Sequence, residues 1–165
     1  MDNNKIVISL MVENESGVLS RIAGLFSRRG FNIESITAGK TVDPRMTRIT
    51  VVAIGDEDAL NQICSQLRKL IDVKSIEVLE PDSVRRELIL IKIAATSNER
   101  QQVMSIADIF RAKIVDVSSD SMVLEMTGTE NKIEAITRLL EEFGILEIAR
   151  TGIVGMSRGT KSSAG

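Results

Sequence analysis

Histidine is absent from the 165-residue chain, which removes the commonest general base near neutral pH and the commonest metal ligand. Much hydrolase and zinc chemistry goes with it. Cys64 is the single cysteine, so no intrachain disulfide can form and no clustered Cys/His spacing marks a zinc site. This usage fits a reducing cytoplasm. There is no excess of either charge: 21 basic residues face 23 acidic ones, too few cations to neutralise a phosphate backbone, so nucleic acid is not an expected partner. Tryptophan and tyrosine are missing and only four phenylalanines remain, which argues against a sheet that stacks RNA bases. Neither G-x-x-x-x-G-K-[ST] nor G-x-G-x-x-G occurs in a strand-to-helix setting, so ATP and NAD lose their usual support. No apolar run approaches the ~20 residues that cross a bilayer. The N-terminal Asp2-Asn3-Asn4 leads into a short apolar segment without the basic and apolar regions of a signal peptide. The expectation is a soluble cytoplasmic protein, with no membrane partner.

What is present suits a folded core. The apolar fraction is 43 % and the charged fraction 27 %, near the globular norm, and the length fits one ordinary domain or two small ones. Lys5 to Val12 is β-branched and apolar and reads as a strand closed by polar Glu13 to Gly17. Leu19, Ile22, Ala23 and Phe26 then recur at helical spacing, and Gly30 stops the helix after the basic Arg28-Arg29. Phe31 to Lys40 and Met46 to Ile54 read as two strands of a hairpin around Asp43-Pro44. Leu60, Ile63, Cys64 and Leu67 predict a second helix behind the acidic Asp56 to Asp58, and Val73 to Leu79 a fourth strand. The order β-α-β-β-α-β predicts a ferredoxin-like arrangement, with two helices on one face of an antiparallel sheet.

Glu80-Pro81-Asp82-Ser83 breaks the pattern and reads as a linker. Beyond it the rhythm repeats. Leu88 to Ala95 predicts a strand; Val103, Ile106, Ala107 and Phe110 predict a helix behind Asn98 as N-cap. Lys113 to Ser118 and Met122 to Thr127 predict strands, Ile133, Ile136 and Leu140 a helix, and Ile145 to Ile153 a last strand. The chain is thus read as α+β, two ferredoxin-like domains in tandem over 1–80 and 81–165. Ser157 to Gly165 has too little apolar surface to order itself, and its end is expected to be mobile.

The loop Glu13-Asn14-Glu15-Ser16-Gly17-Val18-Leu19 leads from the first strand to a helix N-terminus. Unpaired backbone N–H groups and the positive end of the helix dipole can hold a small carboxylate there, and Gly17 permits close approach. Asn14 both donates and accepts, which suits a free amino acid. The plainer alternative makes Ser16 an N-cap, Gly17 a tight turn and Asn14 a solvated residue. Glu13 and Glu15 would repel an anion unless they point away or serve an ammonium. Asn32, between Phe31 and Ile33 at the start of the second strand, is a second candidate contact or merely a sheet-edge cap. Cys64 lies on an apolar helical face and reads as core, Arg28-Arg29 as an ordinary helix end, the methionines as core filler, and Glu141-Glu142 as a solvated helix end. No convergent acid, base or nucleophile is visible, so no catalytic residue and no metal ligand is assigned.

Val12 to Thr37, V-E-N-E-S-G-V-L-S-R-I-A-G-L-F-S-R-R-G-F-N-I-E-S-I-T, resembles the ACT domain of the small regulatory subunit of acetohydroxyacid (acetolactate) synthase. The resemblance continues through Met46 to Thr50, Lys69 to Val73, Glu87-Leu88 and Ile109 to Arg111 to Ala149–Gly159. It implies an ACT domain as the first of the two domains, and a non-catalytic partner for the enzyme that makes acetohydroxy acids for valine, leucine and isoleucine synthesis. Such a subunit activates the catalytic subunit and confers feedback inhibition. The resemblance further implies a homodimer through the ACT domains, with valine at the interface. Asn14, Glu15, Ser16, Gly17, Val18 and Leu19 would form the effector loop, joined by Asn32, with Ile33 in an apolar wall. Thiamine diphosphate, Mg and FAD would reside on the catalytic partner and no cofactor on this chain. The alternative is a stand-alone amino-acid sensor acting on another enzyme or on gene expression, although a DNA-reading sensor should carry a basic module that this sequence lacks.

Overall fold

Strand β1 (Lys5–Glu13) is apolar at nearly every position because both of its faces are covered. Ile6, Ile8, Leu10 and Val12 enter a core under two helices, whereas Val7 is buried on the opposite face. The structure, a computed structural model, describes residues 4–160. Helix α1 (Val18–Arg28) turns Val18, Ile22, Leu25 and Phe26 into that core and ends at Arg29-Gly30. The sequence stripe is correct at Ile22 and Phe26 but not at Leu19, which is 46 % exposed. Strands β2 (Asn32–Lys40) and β3 (Met46–Ile54) form the expected hairpin. Helix α2 (Glu57–Arg68) is capped by Asp56, whose carboxylate accepts from the Ala59 N–H at 2.8 Å. With β4 (Val73–Val78) the sheet order is β2-β3-β1-β4, and all the neighbours are antiparallel.

The second set repeats this topology. Strand β5 (Val84–Ala94), helix α3 (Arg100–Phe110), strands β6 (Lys113–Val117) and β7 (Ser121–Gly128), helix α4 (Glu130–Leu140) and strand β8 (Ile145–Arg150) give the order β6-β7-β5-β8. Here the strands alternate cleanly. Ile89, Ile91 and Ile93 of β5 and Met122, Leu124 and Met126 of β7 pack beneath Val103, Ala107, Ile133, Ile136 and Leu140. Leu88 and Leu90 look outward, each 36 % exposed. Glu87 is buried and accepts a forked contact from the Arg150 guanidinium, at 3.0 and 2.9 Å. The α+β, tandem ferredoxin-like reading therefore holds.

Three local expectations do not. Asn98 is not the cap of α3: Glu99 occupies that position, and its carboxylate accepts from the Thr96 N–H and hydroxyl, both at 2.9 Å. The last strand does not run from Ile145 to Ile153, because β8 stops at Arg150 and a separate short strand β9 (Val154–Met156) follows. Gly152, at φ 81°, makes the break. From there the chain crosses the outer face of the first sheet, where Ile153 is buried with Val7, Val52 and Leu79. A Cβ at Gly152 would lie 2.5 Å from the Cβ of Ser35, so only glycine permits this approach. The Ser157 hydroxyl donates to the Glu77 carboxylate, and Arg158 Nε donates to the Asp82 carbonyl at 2.6 Å.

The tail read from Ser157 onward as unable to order itself is thus tied down at its start; the mobility expected of its last residues falls on 161–165, outside the described residues. The compact units are Met1–Arg85 with Gly152–Gly165, and Arg86–Thr151, so the first unit is discontinuous, whereas the sequence reading divides the chain once, at 80/81.

Candidate functional site

The loop after β1 is shaped by its main chain. The Glu13 N–H donates to the Asp72 carbonyl at 3.0 Å, the Asn14 N–H to the Arg45 carbonyl at 2.8 Å, and the Glu15 N–H back to Glu13 at 3.0 Å. Gly17 then takes φ 84° and itself occupies the cap position of α1, with no side chain capping the helix. Ser16 is therefore not the N-cap; the left-handed glycine moves the helix start one residue onward. The Val18 N–H makes only a long bond to the Glu15 carbonyl, at 3.5 Å. A helix N-terminus without a capping side chain leaves first-turn N–H groups for water or an anion, at the positive end of the dipole.

Side chains sort into those facing this opening and those committed elsewhere. Asn14, Glu15, Ser16 and Gly17 are exposed, as is Leu19, whereas Val18 is buried in the core and offers the site only its main chain. The Glu13 carboxylate is drawn off by Lys74 of β4 at 2.9 Å, which removes one of the two acidic groups expected to repel an anion. Arg21, on the next turn of α1, is held by Asp72, with Nε at 2.9 Å and the terminal nitrogen at 2.7 Å. A Cβ on Gly17 would lie 3.2 Å from the Arg21 guanidinium. Between the loop and the β2–β3 hairpin lies a cavity of about 470 Å³, lined by Glu13, Asn14, Glu15, Asp43, Pro44, Arg45 and Met46.

Asn32 and Ile33 are not part of this cluster. Glu13 pairs with Met46 at one end of the sheet, whereas Asn32 pairs with Ile54, which pairs with Lys5, at the other. Eight residues of strand separate the two ends, about 26 Å at ~3.3 Å per residue. Asn32 is exposed, and Ile33 packs against the first unit's own core. Within one chain, then, Asn14 to Leu19 stand together and Asn32 stands apart. Sequence reasoning missed Pro44 and Arg45 as neighbours of Asn14. The signal was in the topology: a split βαβ unit places β3 beside β1, so the turn that opens β3 falls beside the loop that closes β1.

Cys64 is buried, and burial pushes its thiol above the usual range, with Arg68 acting weakly the other way. Among the described residues no group of three or more His, Cys, Asp or Glu could hold a metal, and no helix is long and apolar enough to cross a membrane.

Comparison with known proteins supplies the family context. Residues 8–75 match the family described as AHAS small subunit-like ACT domain, and residues 86–159 match that described as small subunit of acetolactate synthase. The chain is 49 % identical over 164 residues to the "Probable acetolactate synthase small subunit" of Methanothermobacter thermautotrophicus, covering 98 % of each. It is 46 % identical over 158 residues to the acetolactate synthase small subunit of Haemophilus influenzae, covering 94 % of this chain and 97 % of that one. The crystal structure of the small subunit from Thermotoga maritima superposes with a TM-score of 0.87 at 39 % identity, covering 95 % of this chain and 99 % of that chain.

Proposed function

The chain belongs to the acetolactate synthase small-subunit family, and from that premise we propose that it activates a catalytic acetolactate synthase subunit and makes it sensitive to valine. The observation that carries the effector reading is the N-terminus of α1, which opens on exposed Asn14 to Gly17 with no capping side chain. The valine carboxylate would take the N–H groups near Val18 and Leu19, a place where a fixed dipole favours an anion. Asn14 would hold the ammonium.

The separation of Asn32 from this loop supports a shared site. A twofold axis perpendicular to the strands reverses their direction, so it can set the loop end of one protomer against the Asn32 end of its partner, and an isologous pair makes two such sites. Valine seated across that seam would shift the catalytic partner only through unequal affinity for two packings of the complex. A coupling of ~1 to 3 kcal/mol corresponds to a 5- to 150-fold change. The chain acts without a cofactor of its own; thiamine diphosphate, Mg and FAD belong to the catalytic partner.

The test is reconstitution with an acetolactate synthase catalytic subunit, assayed with and without valine, for wild type and Gly17→Asp. The aspartate would crowd the opening, its Cβ lying 3.2 Å from the Arg21 guanidinium, and its carboxylate would repel that of valine. Valine inhibition is expected to disappear, while activity without valine reports that the two subunits still assemble. A Gly17→Asp subunit as valine-sensitive as wild type would discredit the placement.

A further inference from the structure

Asn14 spends two donors on the tip of the β2–β3 hairpin. Its main-chain N–H goes to the Arg45 carbonyl at 2.8 Å and its side-chain Nδ2 to the Pro44 carbonyl at 3.0 Å. Because Pro44 offers only an acceptor, the amide orientation is fixed by chemistry: the nitrogen must face the hairpin. What the side chain has left to offer most strongly is its carbonyl oxygen.

The tip is itself stapled. Asp43 Oδ1 accepts from the Arg45 N–H and Nε, both at 3.0 Å, and Oδ2 accepts from the same guanidinium at 2.9 Å. The Thr41 hydroxyl lies 2.9 Å from the Asp43 carbonyl and 3.2 Å from the Met46 carbonyl, and accepts from the Asp43 N–H at 3.2 Å. Main-chain bonds close the turn, from Thr41 N–H to Met46 at 3.1 Å and from Met46 N–H to Asp43 at 2.9 Å. The carbonyls that receive Asn14 therefore sit in a turn tied together by its own hydrogen bonds. The cavity between loop and hairpin is lined on one side by this tip.

We propose that the hairpin tip is a positioning element of the effector site: Thr41 and Asp43 fix the Pro44 and Arg45 carbonyls, these fix Asn14, and Asn14 turns its carbonyl oxygen to the ligand. The group that oxygen receives is the α-ammonium of a free amino acid, while the amides of α1 receive the carboxylate. The inference rests on the effector reading above. Thr41 and Asp43 touch no ligand; they act through Asn14.

The experiment uses the full-length chain and two readouts, hydrogen exchange at the Asn14 amide and calorimetric titration with valine. Asp43→Ala removes the acceptor for the Arg45 N–H and guanidinium, and should both speed exchange at Asn14 and weaken valine roughly 5- to 30-fold, the effect of losing modest local order. Asp43→Asn keeps an acceptor for the Arg45 N–H and should recover most of both. Thr41→Val tests the staple independently and should move the readouts in the same direction as Asp43→Ala. If Asp43→Ala and Thr41→Val exchange and bind as wild type does, while Gly17→Asp loses valine, the hairpin role is refuted and the effector site stands. Asp43→Asn as weak as Asp43→Ala would also overturn it. If wild type takes up no valine, leucine or isoleucine, the effector reading fails and this one falls with it.

Discussion

Replacing Gly152 with alanine separates a conformational cost from a packing cost. Its φ of 81° is left-handed, which costs an L-residue about 1–2 kcal/mol. The new Cβ would lie 2.5 Å from the Ser35 Cβ and 2.8 Å from its hydroxyl. The Cβ of Ser35 is fixed to the backbone of β2 and cannot swing aside, so overpacking adds about 1–3 kcal/mol. The total is about 2–5 kcal/mol, limited above by the cost of releasing the segment. Release would uncover Ile153, worth about 1.5–3 kcal/mol as a buried aliphatic side chain. Gly159 supplies the control: it has φ 67° and no atom within 4 Å of a built Cβ, so Gly159→Ala meets the conformational cost alone.

The two units make a single unfolding midpoint ambiguous. The assay is therefore urea-dependent hydrogen exchange read on peptides from β1 and β2. Gly152→Ala should destabilise these peptides by about 1–3 kcal/mol more than Gly159→Ala, and Ser35→Gly should restore part of the loss, as expected for touching residues. If the two alanine variants agree within about 0.5 kcal/mol, the close approach carries no energy and the reasoning is wrong.

Arg150→Met should destabilise the second unit by about 1–3 kcal/mol, because it strips the forked partner from a carboxylate only 5 % exposed. Adding Glu87→Gln should recover part of that loss, and urea exchange on β5 peptides checks both; an unchanged profile for Arg150→Met refutes the account. Cys64 should react with a thiol reagent at neutral pH far more slowly in the native protein than in urea, since burial holds the thiol protonated and out of reach. Immediate stoichiometric labelling of the native chain would contradict its place in the core.

What could be read from the residues was what is local. The acidic Asp56 to Asp58 announce the start of α2, Asp43-Pro44 the hairpin, and the apolar Leu88 to Ala95 a strand, and each stands as expected. Leu19 fails because Gly17, rather than Ser16, caps α1, so the first turn starts with Val18 facing inward. The loop at Asn14 to Gly17 is contiguous in sequence and can be read there, whereas the separation of Asn32 from it within one chain depends on register, and no short spacing encodes the interval from Glu13 to Lys5. The break at Gly152 was hidden most completely. Ile145 to Ile153 looks like one apolar strand, and only the surface that receives Ile153, made of Val7, Val52 and Leu79, decides where it ends. Those partners lie in the first half of the chain, beyond any local window.

That seam between early and late sequence imposes a schedule on biosynthesis. A ribosome delivers Val7 and Val52 well before Ile153, so the nascent first sheet waits with an apolar face bare while the intervening unit is made. At ~5–20 residues per second the wait is on the order of 3–15 s, long against the collapse of a small domain. Premature termination before Ile153 would release a polypeptide whose β1 and β3 carry a permanent sticky patch, a substrate for chaperones and proteases rather than a smaller working subunit.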